Sequence, residues 1–140
     1  MEQNLKIGLT LTAKYTVKNE HAAKAVGSGE VEVLSTPAMI AFMENTALHC
    51  VQEKLPKGFI TVGFRVDVKH LSPVPVGEEI RVTAQLTGID ERKLAFKVKA
   101  EWQNEVIGEG QHERVIVHHE RFLQKLKEKM DRTQTLQLSS

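Results

Sequence analysis

From Phe59 onward, apolar residues recur at every second position. Ile60, Val62, Phe64, Val66 and Val68 fall on one side of an extended chain, with Thr61, Arg65, Asp67 and Lys69 on the other. That period of two predicts a strand with one buried face. Pro73, Pro75 and Gly77 end it, and further alternating runs follow. Ile80, Val82, Ala84 and Leu86 mark one; Leu94, Phe96, Val98, Ala100 and Trp102 the next; Val115 and Val117 the last. Asp90 to Lys93 and Gln103-Asn104-Glu105 read as the turns between these strands. Residues 5–17 alternate as well, with Leu5, Ile7, Leu9 and Leu11 on one side, and predict a first strand.

Between the first strand and Phe59 the pattern changes. Residues 20–29 are small, polar and glycine-containing, which predicts a mobile connection into a short strand at Val31 to Leu34. Ser35-Thr36-Pro37 predicts a helix start: Thr36 can cap, and Pro37 suits the first helical position because its missing N–H costs nothing there. The helix is expected to run to about Lys54, stopped by Pro56-Lys57-Gly58, with Ile40, Met43, Ala47, Leu48 and Val51 as its inward stripe. A short amphipathic helix with Phe122, Leu123 and Leu126 inward should follow the last strand, then a frayed polar tail from Asp131. The elements describe an α+β domain over residues 1–130, an antiparallel sheet wrapped around one long helix, with a tail over 131–140.

Composition narrows the function. Nineteen Lys+Arg against eighteen Asp+Glu leave a formal charge of +1, without the basic excess of a non-specific nucleic-acid binder. No apolar run approaches the roughly 20 residues that span a bilayer, and MEQNLKIGLT lacks the features of a signal peptide. One cysteine, Cys50, excludes an intrachain disulfide and a cysteine-rich zinc site. His49, Cys50, His112, His118 and His119 form no recognised metal motif. The expectation is a cytoplasmic domain with no nucleic-acid, membrane or metal partner.

Two ionisable groups stand where apolar ones are expected. Glu44 lies in the helix stripe, four residues from both Ile40 and Leu48, and a carboxylate facing a core is costly unless paired or protonated; the plainer alternative is a helix-edge glutamate whose head reaches solvent. His70 continues the even-numbered apolar face of the strand that begins at Phe59. Helix stripe and sheet face are directed at each other, so a carboxylate and an imidazole meeting out of water suit general acid–base chemistry. Gly63 interrupts the same strand, the mark of a bulge or of close approach by a ligand or another backbone. Thr36, at the helix start, places a hydroxyl beside unsatisfied N–H groups and the positive end of the dipole.

With these positions in view, the chain resembles the fluoroacetyl-CoA thioesterase-like group of the hotdog-fold thioesterases. The resemblance runs roughly from Ile7 to Lys127 and is most specific in STPAMIAFMEN (Ser35 to Asn45), GFITVGFRVDVKHLSPVPVGEEI (Gly58 to Ile80) and GQHERVIV (Gly110 to Val117). It implies a catalytic set of Thr36, Glu44 and His70, and acyl-CoA contacts at Gly63 and Arg114. Arg114 is assigned by the resemblance alone. The fluoroacetate-resistance member of the group carries a phenylalanine-bearing lid before the helix. The corresponding Val26-Gly27-Ser28-Gly29-Glu30 has no aromatic, which speaks against fluoroacetyl selectivity.

The implied activity is hydrolysis of an acyl-CoA thioester of unspecified acyl group, by a homodimer whose sites lie at the subunit interface. No cofactor is implied, CoA being part of the substrate. The oxyanion would sit on backbone N–H groups after Pro37, with Thr36 holding substrate or water, Glu44 as base or nucleophile and His70 shuttling the proton. Direct water attack and an acyl-enzyme route both fit. A hotdog enoyl-CoA hydratase and a non-catalytic acyl-CoA-binding module are the competing readings.

Overall fold

The alternating segments fold into a single antiparallel sheet. A computed structural model describes the backbone of residues 4–139 and the side chains of residues 4–133. Its strands are β1 (Thr10–Thr16), β2 (Phe59–His70), β3 (Glu79–Asp90), β4 (Lys93–Trp102) and β5 (Glu105–His118), in the order β1-β3-β4-β5-β2. The long helix α2 (Thr36–Gln52) lies across the inner face, against β1, β2, β3 and β4. Gln103 and Asn104 adopt φ of 50° and 65°, the pair of left-handed residues that a two-residue hairpin requires. Bulges in the β2–β5, β3–β4 and β4–β5 pairings bend and twist the strands around the helix.

Met39, Met43, Ala47 and Val51 of α2 are fully buried against Ile80, Val82, Leu86, Leu94, Phe96 and Val98 of the sheet. Each large side chain so buried is worth about 1.5–3 kcal/mol. A Cβ on Gly108 of β5 would collide with the Met39 sulfur, so a glycine there lets the helix seat directly on the sheet.

The helix faces differ from the expected ones. Met39, Phe42, Met43, Thr46, Ala47, Cys50 and Val51 form the buried stripe, whereas Ile40, Glu44 and Leu48 are only half-buried and Thr36 is exposed. These last four, spaced by four residues, make one row along the border of the stripe. Glu44 is therefore a border residue rather than part of the core stripe.

The strand face is also corrected. Gly63 pairs with Arg114 and Arg65 with Glu113, leaving Phe64 as the extra residue of a bulge. An extra residue reverses the alternation. Before the bulge Thr61 faces the core, 5% exposed, opposite the buried Ile116. Beyond it Val68 and His70 point inward, half-buried, while Phe64 is 60% exposed. Ile60 and Val62 thus do not share a face with Val68 and His70.

Elsewhere the first strand is shorter than residues 5–17, and Val31 to Leu34 forms only isolated bridges, Ala22 to Leu34 and Val33 to Pro75. The connection over residues 20–29 contains a 3₁₀ turn at Asn19–His21 and a one-turn helix, α1 (Ala23–Val26). The C-terminal helix α3 (His119–Ser139) is longer than expected, and its helical backbone passes Asp131, where the tail was placed. The side chains of residues 134–140 in that tail lie outside the described residues. Phe122, Leu123 and Leu126 are 41%, 50% and 48% exposed, not buried as an inner side.

Ser35, not Thr36, caps α2: its hydroxyl accepts from the Ala38 N–H at 3.1 Å. Ser35→Ala should cost about 1 kcal/mol of stability, read as a lowered urea midpoint at unchanged slope; an unchanged midpoint would contradict the assigned cap.

Candidate active site

Because Ser35 serves as the cap, the Thr36 hydroxyl is free for a tertiary contact. It lies 2.9 Å from Nδ1 of His70, the last residue of β2. The other ring nitrogen, Nε2, is buried and has no hydrogen-bond partner. Burial pushes the His70 imidazole below the ordinary histidine range, opposed by a smaller influence of the Ser72 backbone, which makes no hydrogen bond to the ring. The ring is thus neutral at neutral pH. Thr36, His70 and Leu71 line an open cleft of about 330 Å³ together with Ser28, Gly29 and Val31. The aromatic-free segment before the helix therefore borders the Thr36–His70 pair.

The backbone donors expected to form an oxyanion site are already occupied. The N–H of Ala38 goes to Ser35 Oγ and that of Met39 to the Ser35 carbonyl, at 3.1 and 3.0 Å. Pro37 has no N–H. The helix start after Pro37 consequently offers no free N–H in this first turn, which overturns its assignment as the oxyanion site.

A second group of side chains gathers farther along α2. A Cβ on Gly63 would stand 2.9 Å from Glu44 Oε2 and 3.7 Å from Arg114 Nη1. Glycine at the bulge thus leaves room for a carboxylate opposite a guanidinium. Arg114 is 5% exposed. Its Nε donates to Thr61 Oγ1 at 2.7 Å, Nη2 to the Thr61 carbonyl at 3.1 Å and Nη1 to His112 Nε2 at 3.1 Å. Burial lowers its affinity for the proton, partly offset by the charge of Glu44, but a guanidinium remains charged in any accessible pH range.

The structure thus joins Thr36 with His70, and Glu44 with Gly63 and Arg114. Within one chain it forms no hydrogen bond or ion pair between Glu44 and His70. The sequence reading put Thr61 on the outer face of its strand and weighed His112 only as a metal ligand, so it missed both as buried partners of Arg114. The signal was present in β5, where Gly108, Gly110, His112 and Arg114 precede Ile116 on the inward face, a polar run where apolar residues are ordinary. Among the described residues, no three His, Cys, Asp or Glu side chains converge as a metal site would require.

The family of fluoroacetyl-CoA-specific thioesterases matches residues 17–120, a span holding all five expected site residues. A fluoroacetyl-CoA thioesterase from Streptantibioticus cattleyicolor is 33% identical over 98 residues, 70% of this chain and 70% of that protein. The chain belongs to the fluoroacetyl-CoA-specific thioesterase family. A solved structure of the fluoroacetyl-CoA thioesterase FlK superposes with a TM-score of 0.83 at 28% identity, covering 89% of this chain and 97% of that one. A hot-dog-like protein from Thermanaerovibrio acidaminovorans, 23% identical, covers 91% of this chain and 95% of its own with a TM-score of 0.84. The expected hotdog fold of α+β class is the observed one.

His70 and His112 are both held below the ordinary histidine range, burial being the main cause in each. In the unfolded chain each ring protonates near pH 6.5; in the folded protein each stays neutral to lower pH. Below about pH 6.5 the unfolded state therefore binds more protons, so stability is complete above that value and declines on acidification. Urea midpoints measured from pH 7.5 down to 5 should fall, and His70→Gln should reduce the slope. A flat profile in the unsubstituted protein would contradict the burial of both rings.

Proposed function

We propose that this chain hydrolyses an acyl-CoA thioester to the free acid and CoA, as a cytoplasmic homodimer with active sites at the subunit interface. The observation that carries the reading is the Thr36–His70 pair, a neutral imidazole with an unpartnered, buried Nε2 at the wall of an open cleft. Thioester hydrolysis needs an activated nucleophile, a place for the oxyanion and a proton for the leaving thiolate. In this reading Glu44 acts as general base toward water or as the nucleophile itself, and His70 Nε2 handles the proton. Arg114 has five N–H groups, and three are used internally. Its remaining two, with the Thr36 hydroxyl, serve the carbonyl oxygen. Every step is a proton or acyl transfer, so the chemistry calls for no cofactor, and CoA enters as part of the substrate. A cytoplasmic site of action agrees with the free, buried thiol of Cys50.

A dimer supplies what one chain lacks. Eight residues of helix separate Thr36 from Glu44, a rise of roughly 12 Å, so both cannot touch one thioester carbon. β2 is an edge strand of 12 residues that carries the 60% exposed Phe64 and the 39% exposed Val66. A long apolar edge invites pairing. Antiparallel pairing of two β2 strands about a two-fold axis carries Glu44 of each copy toward the Thr36–His70 end of the other.

The curated relative and FlK are named for fluoroacetyl-CoA. Here the cleft that holds Thr36 and His70 is also lined by Ala23, Val31, Val33 and Leu34 and contains no Phe, Tyr or Trp, which supports an aliphatic acyl group without a fluorine preference.

Free-thiol release from a panel of short, branched, aromatic and fluorinated acyl-CoAs tests the activity. Tight binding without thiol release would favour a binding module, and hydration of a 2-enoyl-CoA without thiol release would favour a hydratase. Glu44→Gln and His70→Ala should each lower kcat by about 10²- to 10⁴-fold in a folded protein. Near-normal turnover in both would overturn the site. In the same panel kcat/KM for fluoroacetyl-CoA should lie within about tenfold of that for acetyl-CoA, since a pocket without a dedicated contact discriminates weakly.

Mixing inactive Thr36→Ala with inactive Glu44→Gln, under conditions that exchange subunits, should restore part of the activity. Mixed dimers then hold one intact site of two. No recovery despite proven exchange would place both residues in one chain's site.

A further inference from the structure

We propose that His112 is a positioning residue, a neutral imidazole protonated at Nδ1 that holds the Arg114 guanidinium in place and keeps it from closing onto Glu44. The proposal rests on the reading of Glu44 and Arg114 as members of the active site.

Two contacts fix the tautomer independently. Nδ1 of His112 lies 2.8 Å from the carbonyl oxygen of Arg65. A carbonyl only accepts, so the proton is on Nδ1. Nε2 lies 3.1 Å from Arg114 Nη1. A guanidinium has donors and no acceptor, so Nε2 must present a lone pair. An imidazolium would satisfy Arg65 but would set an N–H against the N–H of Arg114. His112 is 1% exposed, so water cannot readily take its place.

Each of the three guanidinium nitrogens is held. Thr61 accepts twice, through its hydroxyl and its carbonyl, and His112 accepts on the third side. The groups around the ring come from every neighbouring element: Glu44 from α2, the Arg65 carbonyl from β2, Phe96 from β4, and Glu113 with Arg114 from β5. Of these, Glu44 is the acceptor that a released guanidinium would meet. The point where a Gly63 Cβ would stand is 2.9 Å from Glu44 Oε2, 3.7 Å from Arg114 Nη1 and 3.8 Å from His112 Cε1. One gap therefore borders all three side chains. An Arg114 that closed it as an ion pair would occupy the carboxylate and turn its spare N–H groups away from substrate.

The test pairs spectroscopy of the ligand-free, full-length protein with kinetics. Nitrogen-15 NMR should show His112 protonated at Nδ1 and bare at Nε2, and a slowly exchanging Arg114 Nε–H. His112→Gln, which keeps an acceptor but does not titrate, should retain the Arg114 signal and keep kcat/KM within about threefold. It should also lose the His112 contribution to the acid limb of the pH profile. His112→Leu should lose the Arg114 signal and about 10- to 100-fold in kcat/KM, the equivalent of one hydrogen bond to a charged group. An Nε2-protonated ring, or His112→Leu with both the Arg114 signal and kcat/KM unchanged, would overturn the proposal.

If His112→Leu does not fold, acid titration of the unsubstituted protein decides. Loss of the Arg114 Nε–H in step with His112 protonation supports the role, and its persistence in the imidazolium form overturns it. If no acyl-CoA yields free thiol, the hydrolase reading fails on its own, and the NMR arms still decide what His112 does.

Discussion

Between Gly63 and Arg65, β2 carries one residue more than β5 opposite it, and the arrangement of the site follows from that surplus. Side chains alternate along a strand, so one added residue exchanges inner and outer faces from that point on. Thr61 and Gly63 face the helix on one side of the bulge, and Val68 and His70 on the other. Without the extra residue, a strand that buries His70 would expose Thr61 and take the Arg114 anchor away. The bulge lets one strand present a hydroxyl, a gap and an imidazole to the same helix. Phe64 absorbs the mismatch by standing 60% exposed.

Electrostatics keep the resulting groups apart within a chain. His112 is neutral because burial and its two hydrogen-bond partners demand it. Arg114 spends its donors on Thr61 and His112 and faces Glu44 without ion-pair contact. His70 retains an unpartnered Nε2 beside the cleft. A buried polar atom without a partner costs about 1–3 kcal/mol. Functional sites are where such costs are tolerated, since the missing partner can be a substrate or a water. The capped start of α2 follows the same logic. Ser35 takes the local capping work, so the neighbouring Thr36 hydroxyl reaches across to β2.

Much of this was legible in residue order. The strands from Phe59 onward, both hairpin turns, the long helix, and the anomalies at Glu44, His70 and Gly63 all follow from local periodicity and its interruptions. The border position of Glu44 was only one of two readings, because a stripe drawn from spacing alone does not say which flank the sheet covers. The exchange of capping role between Ser35 and Thr36 was not legible, since both hydroxyls suit a helix start and only the position of His70 distinguishes them. His112 was weighed only as a metal ligand and set aside for want of a ligand motif, because a histidine's spacing says nothing of distant partners. Its real partners lie on β2 and two residues along its own strand.

By itself, then, the amino-acid order determined which segments extend, which coil, and which side chains violate the apolar pattern. These properties depend on neighbours a few positions away. The tertiary structure alone decided that Glu44 lies across the Gly63 gap from Arg114 rather than against His70, and that Thr36 meets His70. It also decided that Gly63 stands at a bulge and borders a gap beside Glu44 and Arg114, two readings that the sequence left as alternatives. Those outcomes turn on a one-residue shift of register between β2 and β5, segments separated by some 50 residues. Gly63 marked the place as a bulge or a close approach, but the apolar alternation runs on through Phe64, Val66 and Val68 and does not show that the faces exchange there.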